Sequence, residues 1–201
     1  MEFIQTLDQL KTLYGSVSEG AKRKDSDHLT TLYAKWILTS KFCVMSTVGR
    51  DGTDVSPRGD EGPVVRIVDK KTLLMPDWRG NNRLDSLRNI IEDGRISLMF
   101  MVGGVKDVVR VNGIARLTAD KKVCESFEHD GHRPNCVIQV SIDEVYVHCP
   151  KSLLRSKLWA IEGPLDIPTI GEILREVTNN DLGGGRFDAD LSADAQKTLW
   201  S

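Results

Sequence analysis

The residues best suited to chemistry lie together between Val55 and Ile91. Ser56-Pro57-Arg58-Gly59-Asp60 is followed by Val65-Arg66-Ile67-Val68-Asp69, and then by Pro76-Asp77-Trp78-Arg79-Gly80-Asn81-Asn82-Arg83-Leu84. Leu84, Leu87, Ile90 and Ile91 recur at the spacing of one apolar helix face, so a helix is expected to begin among the Asn and Arg residues, with Asn81 and Asn82 as its caps. A helix start carries unpaired N–H groups and a partial positive charge, which draws anions. Arg79 and Arg83 add cations where acidic residues are favoured, and a bound phosphate would repair that conflict. A single arginine there is as well explained by pointing into water. Two, beside Gly-Asn-Asn, favour an anion site.

Arg66 stands between Val65 and Ile67, and Arg110 between Val109 and Val111. Strand side chains alternate, so each arginine shares a sheet face with apolar neighbours and needs a partner. With Arg58 they could converge on one anionic or oxygen-rich ligand; alternatively each pairs with an internal carboxylate such as Asp60, Asp69 or Asp107. The run His129-Asp130-Gly131-His132 invites a metal reading, but a polar surface loop fits its glycine better than a supported shell of three ligands. Gly183-Gly184-Gly185 lacks the strand and the Lys-Ser/Thr of a phosphate loop. No G-x-S-x-G is present, and no residue stands out as general acid, base or nucleophile. The catalytic residues are therefore unknown, no metal is expected, and a reactive atom would belong to a cofactor.

These side chains need a scaffold. Residues 5–14 and 26–40 read as helices, the second with a stripe of Leu29, Leu32, Tyr33, Trp36 and Ile37. Phe42 to Val48 and Thr53 to Arg58 read as strands joined at Asp51-Gly52, a strong hairpin signal. Two further β runs flank the turn before Thr72; Arg95–Val102, Asp107–Leu117 and Asn135–Val147 follow, with a short helix near 120–128. Short connections argue for an antiparallel sheet, which six or so strands could close into a small barrel. Pro150 is expected to open a helix through Leu158. Another helix fits 168–178, residues 181–188 read as a loop, and Ser192 as the cap of a last short helix.

Hydrophobic residues make up 40% of the 201 and charged residues 28%, the balance of a folded globular chain rather than a disordered one. The expected organisation is one domain over 1–201, with N-terminal helices to about residue 40 and a C-terminal helical arm from about 150 to 201. A net charge of −2 gives no global pull toward nucleic acid or an anionic membrane, so anion recognition must be local. No apolar run approaches the roughly 20 residues of a membrane span. Four separated cysteines and an acidic, amphipathic N-terminal stretch lead to the expectation of a cytoplasmic protein with free thiols.

The segments from Ser56 to Leu84, Arg110-Val111-Asn112-Gly113, and Cys149-Pro150-Lys151-Ser152-Leu153-Leu154-Arg155-Ser156-Lys157-Leu158-Trp159 together resemble a branch of the pyridoxamine 5′-phosphate oxidase-like proteins. The resemblance covers nearly the whole chain. It implies a mainly β fold with flanking helices, a six-stranded antiparallel split barrel, and a homodimer with FMN in clefts at the subunit interface. The implied activity is that of an FMN-dependent oxidoreductase acting on a small organic substrate, with the flavin as hydride acceptor or donor; the alternative is a non-catalytic flavin carrier or sensor. Carried over by position, Asn81, Asn82 and Arg83 would hold the FMN phosphate. Arg58, Arg66 and Arg110 would line the flavin or its ribityl chain, and Asp77, Arg155 and Ser156 would complete the cofactor site. The true pyridoxamine phosphate oxidases carry Ser-Arg-Lys at the phosphate and a different C-terminal segment, so the resemblance points to an FMN-binding branch rather than to vitamin B6 oxidation.

Overall fold

The structure, a computed structural model, describes residues 1–160, 163 and 165–200. Three helices come first: α1 (Leu7–Leu13), α2 (Glu19–Arg23) and α3 (Thr31–Thr39). The hydroxyls of Thr6, Ser18 and Thr30 accept from the N–H groups of Gln9, Ala21 and Tyr33, so each helix starts on a Ser or Thr cap. The helix expected from residue 26 begins at Thr31. Ser26 instead exchanges backbone hydrogen bonds with Val145 at 3.0 and 2.8 Å, which holds the chain extended until Thr30 can cap.

Seven strands follow in one antiparallel sheet: β1 (Phe42–Gly49), β2 (Gly52–Gly59), β3 (Arg66–Asp69), β4 (Thr72–Asp77), β5 (Arg95–Met101), β6 (Val108–Thr118) and β7 (Cys136–His148). Their order is β2-β1-β5-β6-β7-β4-β3. Among the described residues the sheet therefore has seven strands and not six. Lys70-Lys71 turns the chain straight back after β3, so even this four-residue run gains a ladder along β4. Alternate residues face inward, Cys43, Met45 and Thr47 on β1 and Ile96, Leu98 and Phe100 on β5, as the period of two demands. Ile37, Leu73, Met75, Ile138 and Val145 complete the centre of the core. At the β6–β7 bulge after Asn112, a Cβ on Gly113 would stand 2.0 Å from the Ser141 carbonyl oxygen, so the close approach requires glycine.

Between β4 and β5 the chain crosses over β7 and β6 in the strand order through α4 (Asp85–Glu92), which lies on β1. Asn89 fixes it there by donating to the Thr47 hydroxyl at 3.1 Å. The start of α4 differs from the sequence expectation. Leu84, in the left-handed region at φ 61°, holds the N-cap position with no side-chain bond, and neither Asn81 nor Asn82 caps. Asn81 turns its side chain to the Arg83 N–H, and Asn82 takes the left-handed φ of 58°, so both residues shape the loop before the helix. Of the anticipated apolar stripe, Ile90 is buried and Leu87 half-buried, whereas Leu84 and Ile91 are exposed.

After the short α5 (Lys121–Glu125), the chain beyond β7 forms α6 (Lys151–Ser156), α7 (Ile170–Val177) and α8 (Gly185–Lys197). Pro150 is the N-cap of α6, which is shorter than expected because Lys157 turns left-handed at φ 50°. The loop foreseen for 181–188 ends early: α8 begins at Gly185, and Ser192 lies inside it instead of capping it. Asp188, in the first turn of α8, accepts from the Gly171 N–H at 2.6 Å and the Thr169 hydroxyl at 2.7 Å. That pair of bonds ties α8 back onto the start of α7 and favours helix where the glycines suggested loop. Residues 161, 162, 164 and 201 of the expected C-terminal arm lie outside the described residues. No helix among the described residues is long and apolar enough to cross a membrane.

Candidate functional site

A cleft of about 1090 Å³ opens between β2, the end of β4, the loop 78–84 with the start of α4, Asn135-Cys136, and Leu199-Trp200. That is slightly above the roughly 300–1,000 Å³ common for ligand sites. β2 and β4 are far apart in the strand order, yet Arg58 on β2 reaches Asp77 on β4, Nη1 to Oδ1 at 2.5 Å. The sheet thus curls enough for side chains to bridge the cleft floor.

The pair is largely enclosed, with side-chain exposures of 17% and 16%. Among the described residues Arg58 Nε is buried without a hydrogen-bond partner, and of the guanidinium nitrogens only Nη1 bonds to protein. Unmet donor capacity of this kind calls for an acceptor. Beside it, the Trp78 indole N–H donates to Asp60 Oδ2 at 3.1 Å, and Asp60 Oδ1 accepts from the Gly62 N–H at 3.2 Å. Ser86, buried at the start of α4, donates to the Asp54 carboxylate on β2, clamping helix to strand.

At the rim, Arg83 Nε meets Asp85 Oδ2 at 2.9 Å, with 76% of the arginine side chain exposed. Asp85 also supplies the negative charge that a helix start favours, which removes part of the conflict read from the sequence. Arg79 lines the cleft, is exposed, and has no ion-pair partner among the described residues. In all, Arg58, Arg79 and Arg83 face Asp54, Asp60, Glu61, Asp77 and Asp85, so the lining is not cationic overall. Any grip on an anion must come from particular donors.

Two cysteines stand near Arg58. Burial pushes the Cys43 thiol up to about 12, with Arg58 acting weakly in the other direction. Burial, aided by Asp77 and Cys124, pushes the Cys136 thiol at the cleft wall to about 11. Both are thiols at neutral pH and poor nucleophiles.

Of the residues singled out in the sequence, Arg58, Asp77, Asn81, Asn82 and Arg83 meet at the cleft. Arg66, Arg110, Arg155 and Ser156 lie outside it in the single chain. Arg66 donates to the Ser126 hydroxyl and carbonyl, both at 2.8 Å, and stacks over Phe127 at 4.1 Å. Arg110 lies over the Tyr146 ring at 5.2 Å. Arg155 and Ser156 are exposed on α6, the serine donating to the Leu153 carbonyl at 3.3 Å. The three strand arginines therefore do not converge within one chain: Arg58 pairs with Asp77 across the cleft, Arg66 with Ser126 and Phe127, and Arg110 with Tyr146. The His129–His132 run closes a tight turn through reciprocal backbone bonds of 2.9 Å. Sequence reasoning missed Asp60, Trp78, Cys136 and Trp200 as lining residues. Asp60 and Trp78 stood within the motif stretch, whereas nothing local tied the far end of the chain to the cleft.

The pyridoxamine 5′-phosphate oxidase family matches residues 29–149, from just before α3 to just past β7, and the chain belongs to that family. No curated protein matches it. Among solved structures, a candidate pyridoxamine 5′-phosphate oxidase of Lactobacillus delbrueckii is 20% identical with a TM-score of 0.46, covering 60% of this chain and 95% of that one. HupZ of Group A Streptococcus is 18% identical, TM-score 0.45, over 58% and 92%. General Stress Protein 26 of Bacillus anthracis is 17% identical, TM-score 0.43, over 57% and 88%.

Proposed function

We propose that the chain is an FMN-dependent oxidoreductase acting on a small organic substrate as a homodimer, its sheet forming the family's split barrel as a single domain. The observation that carries the reading is Arg58: a guanidinium in the cleft wall of a family built for flavin nucleotides, with most of its donors unspent. The lining suits the group. Arg58 and Arg79 offer donors to ribityl and phosphate oxygens, and Trp78 offers a ring edge beside them. Arg83 is tied to Asp85, but an exposed pair contributes only about 0–1 kcal/mol, so a phosphate dianion can take the arginine at little cost.

Asn81 and Asn82, held in the loop before α4, present amides beside that arginine. Arg66, Arg110, Arg155 and Ser156 would join the site across the dimer, each subunit completing its partner's cleft. Exposed Val55, Leu84 and Ile91 flank the cleft and α4, an apolar surface suited to such burial. Bound FMN would supply the hydride chemistry that no side chain of the cleft carries. The protein's part is to orient the ligand, exclude water and hold fixed charges near it.

Absorbance of the purified protein, or of the apoprotein titrated with FMN, tests the reading: bands near ~370 and ~450 nm are expected for a bound flavin. No binding at micromolar FMN would overturn it. The second reading is a non-catalytic flavin carrier or sensor, since the donors that line the cleft would serve binding alone equally well. Stopped-flow reduction with NADH or NADPH, followed by reoxidation with oxygen, separates the two, since a carrier's flavin is reduced by neither donor.

A further inference from the structure

The α7–α8 hairpin is locked within itself and barely attached to the sheet. Gly183 and Gly184, at φ 95° and 99°, bring the chain against α7, where the Gly184 N–H donates to the Gly171 carbonyl at 3.0 Å. Ile170, Ile173, Val177 and Leu191 of the two helices remain exposed. At the far end of α8, the Thr198 N–H and hydroxyl both bond to the Asp194 carbonyl, ending the helix. The next two residues then enter the cleft wall.

Trp200 packs edge-on against Trp78, with centroids 5.0 Å apart and planes at 81°, and lies 4.3 Å from the His129 ring. Trp78 offers a fixed surface because Asp60 holds its indole. Trp200 is half-buried although Leu199 beside it is 58% exposed. A rigid lever with few buried contacts of its own, ending in an aromatic latch on the cleft, has the anatomy of a low-stability, opening element.

We infer that Leu199 and Trp200 form a hinged aromatic wall of the cleft, which packs on the planar ring of the bound ligand and swings aside for its exchange. This rests on the flavin reading for the identity of the ring. Trp200 and Trp78 together present the ring faces and edges that stacked or edge-on aromatic contacts use. The wall comes from the part of the chain that follows the family match at 29–149.

The test compares the full chain with Trp200→Ala, Trp200→Phe and a chain ending at Thr198, using FMN as probe. Stopped-flow flavin fluorescence should show both association and dissociation faster by about threefold to tenfold in Trp200→Ala and in the shortened chain, with Trp200→Phe close to the full chain. Amide hydrogen exchange without FMN should quicken at 77–83 and 127–133 in the same two variants. FMN bound at unchanged rates by all four proteins would overturn the wall and leave the flavin reading standing. FMN bound by none would overturn the flavin reading, and the exchange data would then decide the wall alone: quicker exchange keeps it as a cover over the cleft, and unchanged exchange removes it.

Discussion

Arg58–Asp77 and Arg83–Asp85 set the same two functional groups against each other in one cleft, the first with 17% and 16% of its side chains exposed, the second with 76% and 37%. The difference in setting changes what each pair can do. A buried pair adds little net stability over an apolar pair, but losing one partner strands a charge in a poor solvent. An exposed pair can be broken and remade at almost no cost, because water compensates each group. On the proposed flavin reading Arg58 would be fixed structure presenting its spare donors, and Arg83 a movable cation that exchanges its carboxylate for the ligand. The Arg83–Asp85 contact joins the end of the loop to the first residue of α4, whereas Arg58–Asp77 joins two strands that are not neighbours.

The largest expected effect is that of Arg58→Ala, which strands Asp77 and should lower unfolding free energy by about 3–5 kcal/mol in a urea titration. The double variant Arg58→Met/Asp77→Leu should recover most of that, and a single-variant loss below about 1 kcal/mol would erase the contrast between the pairs. Next comes the thiol that lies across from Arg58 in the β1–β2 register. With the Cys43 thiol at about 12, its thiolate at pH 8 is scarcer than that of an ordinary cysteine by about three powers of ten, before burial blocks access. Disulfide-exchange labelling should therefore mark exposed Cys149 first and Cys43 only on unfolding. Prompt native labelling of Cys43 would show the Arg58 side of the cleft to be open.

Arg83→Ala should leave stability within about 0.5 kcal/mol yet weaken FMN binding by about 1.5–3 kcal/mol, the size of a charge-assisted hydrogen bond. Unchanged affinity would take Arg83 out of the site, and a large stability loss would make it structural like Arg58. The smallest effect belongs to a surface cluster, Asp27 with His28 and Lys71. The His28 bond first, and then Lys71, hold the Asp27 carboxyl down to about 2 from 3.8. A depressed carboxyl contributes stability above its unfolded value and loses it as pH falls toward the folded value. The urea midpoint should thus fall slightly more between pH 4 and pH 2 in the parent than in Asp27→Asn; parallel falls would show the exposed cluster to contribute nothing.

How much of the cleft was legible follows the same division. Asn81 and Arg83 were read correctly as neighbours of a helix start, because loop and helix are continuous in sequence. Within one chain Arg58, Arg66 and Arg110 do not converge, because strand order separates them and each has its own partner: Asp77, Ser126 with Phe127, and Tyr146. The cap assigned to Asn81 or Asn82 failed for a different reason. Several polar residues in a row can each cap, and only the path of the chain onto β1 chooses the turn at which the helix starts.

The amino-acid order alone determined the strands from Phe42 to His148, since alternation of apolar and polar residues answers to the backbone's own period of two and needs no distant partner. It also determined the cation-rich stretch before α4 and the motifs that carry family membership. Only the tertiary structure decided that Arg58 meets Asp77, that seven strands share one sheet, and that Trp200 comes to rest on Trp78. Those contacts depend on how the sheet curls and where the last helix points. Both are set by burial summed over the whole chain, which no short stretch of sequence records.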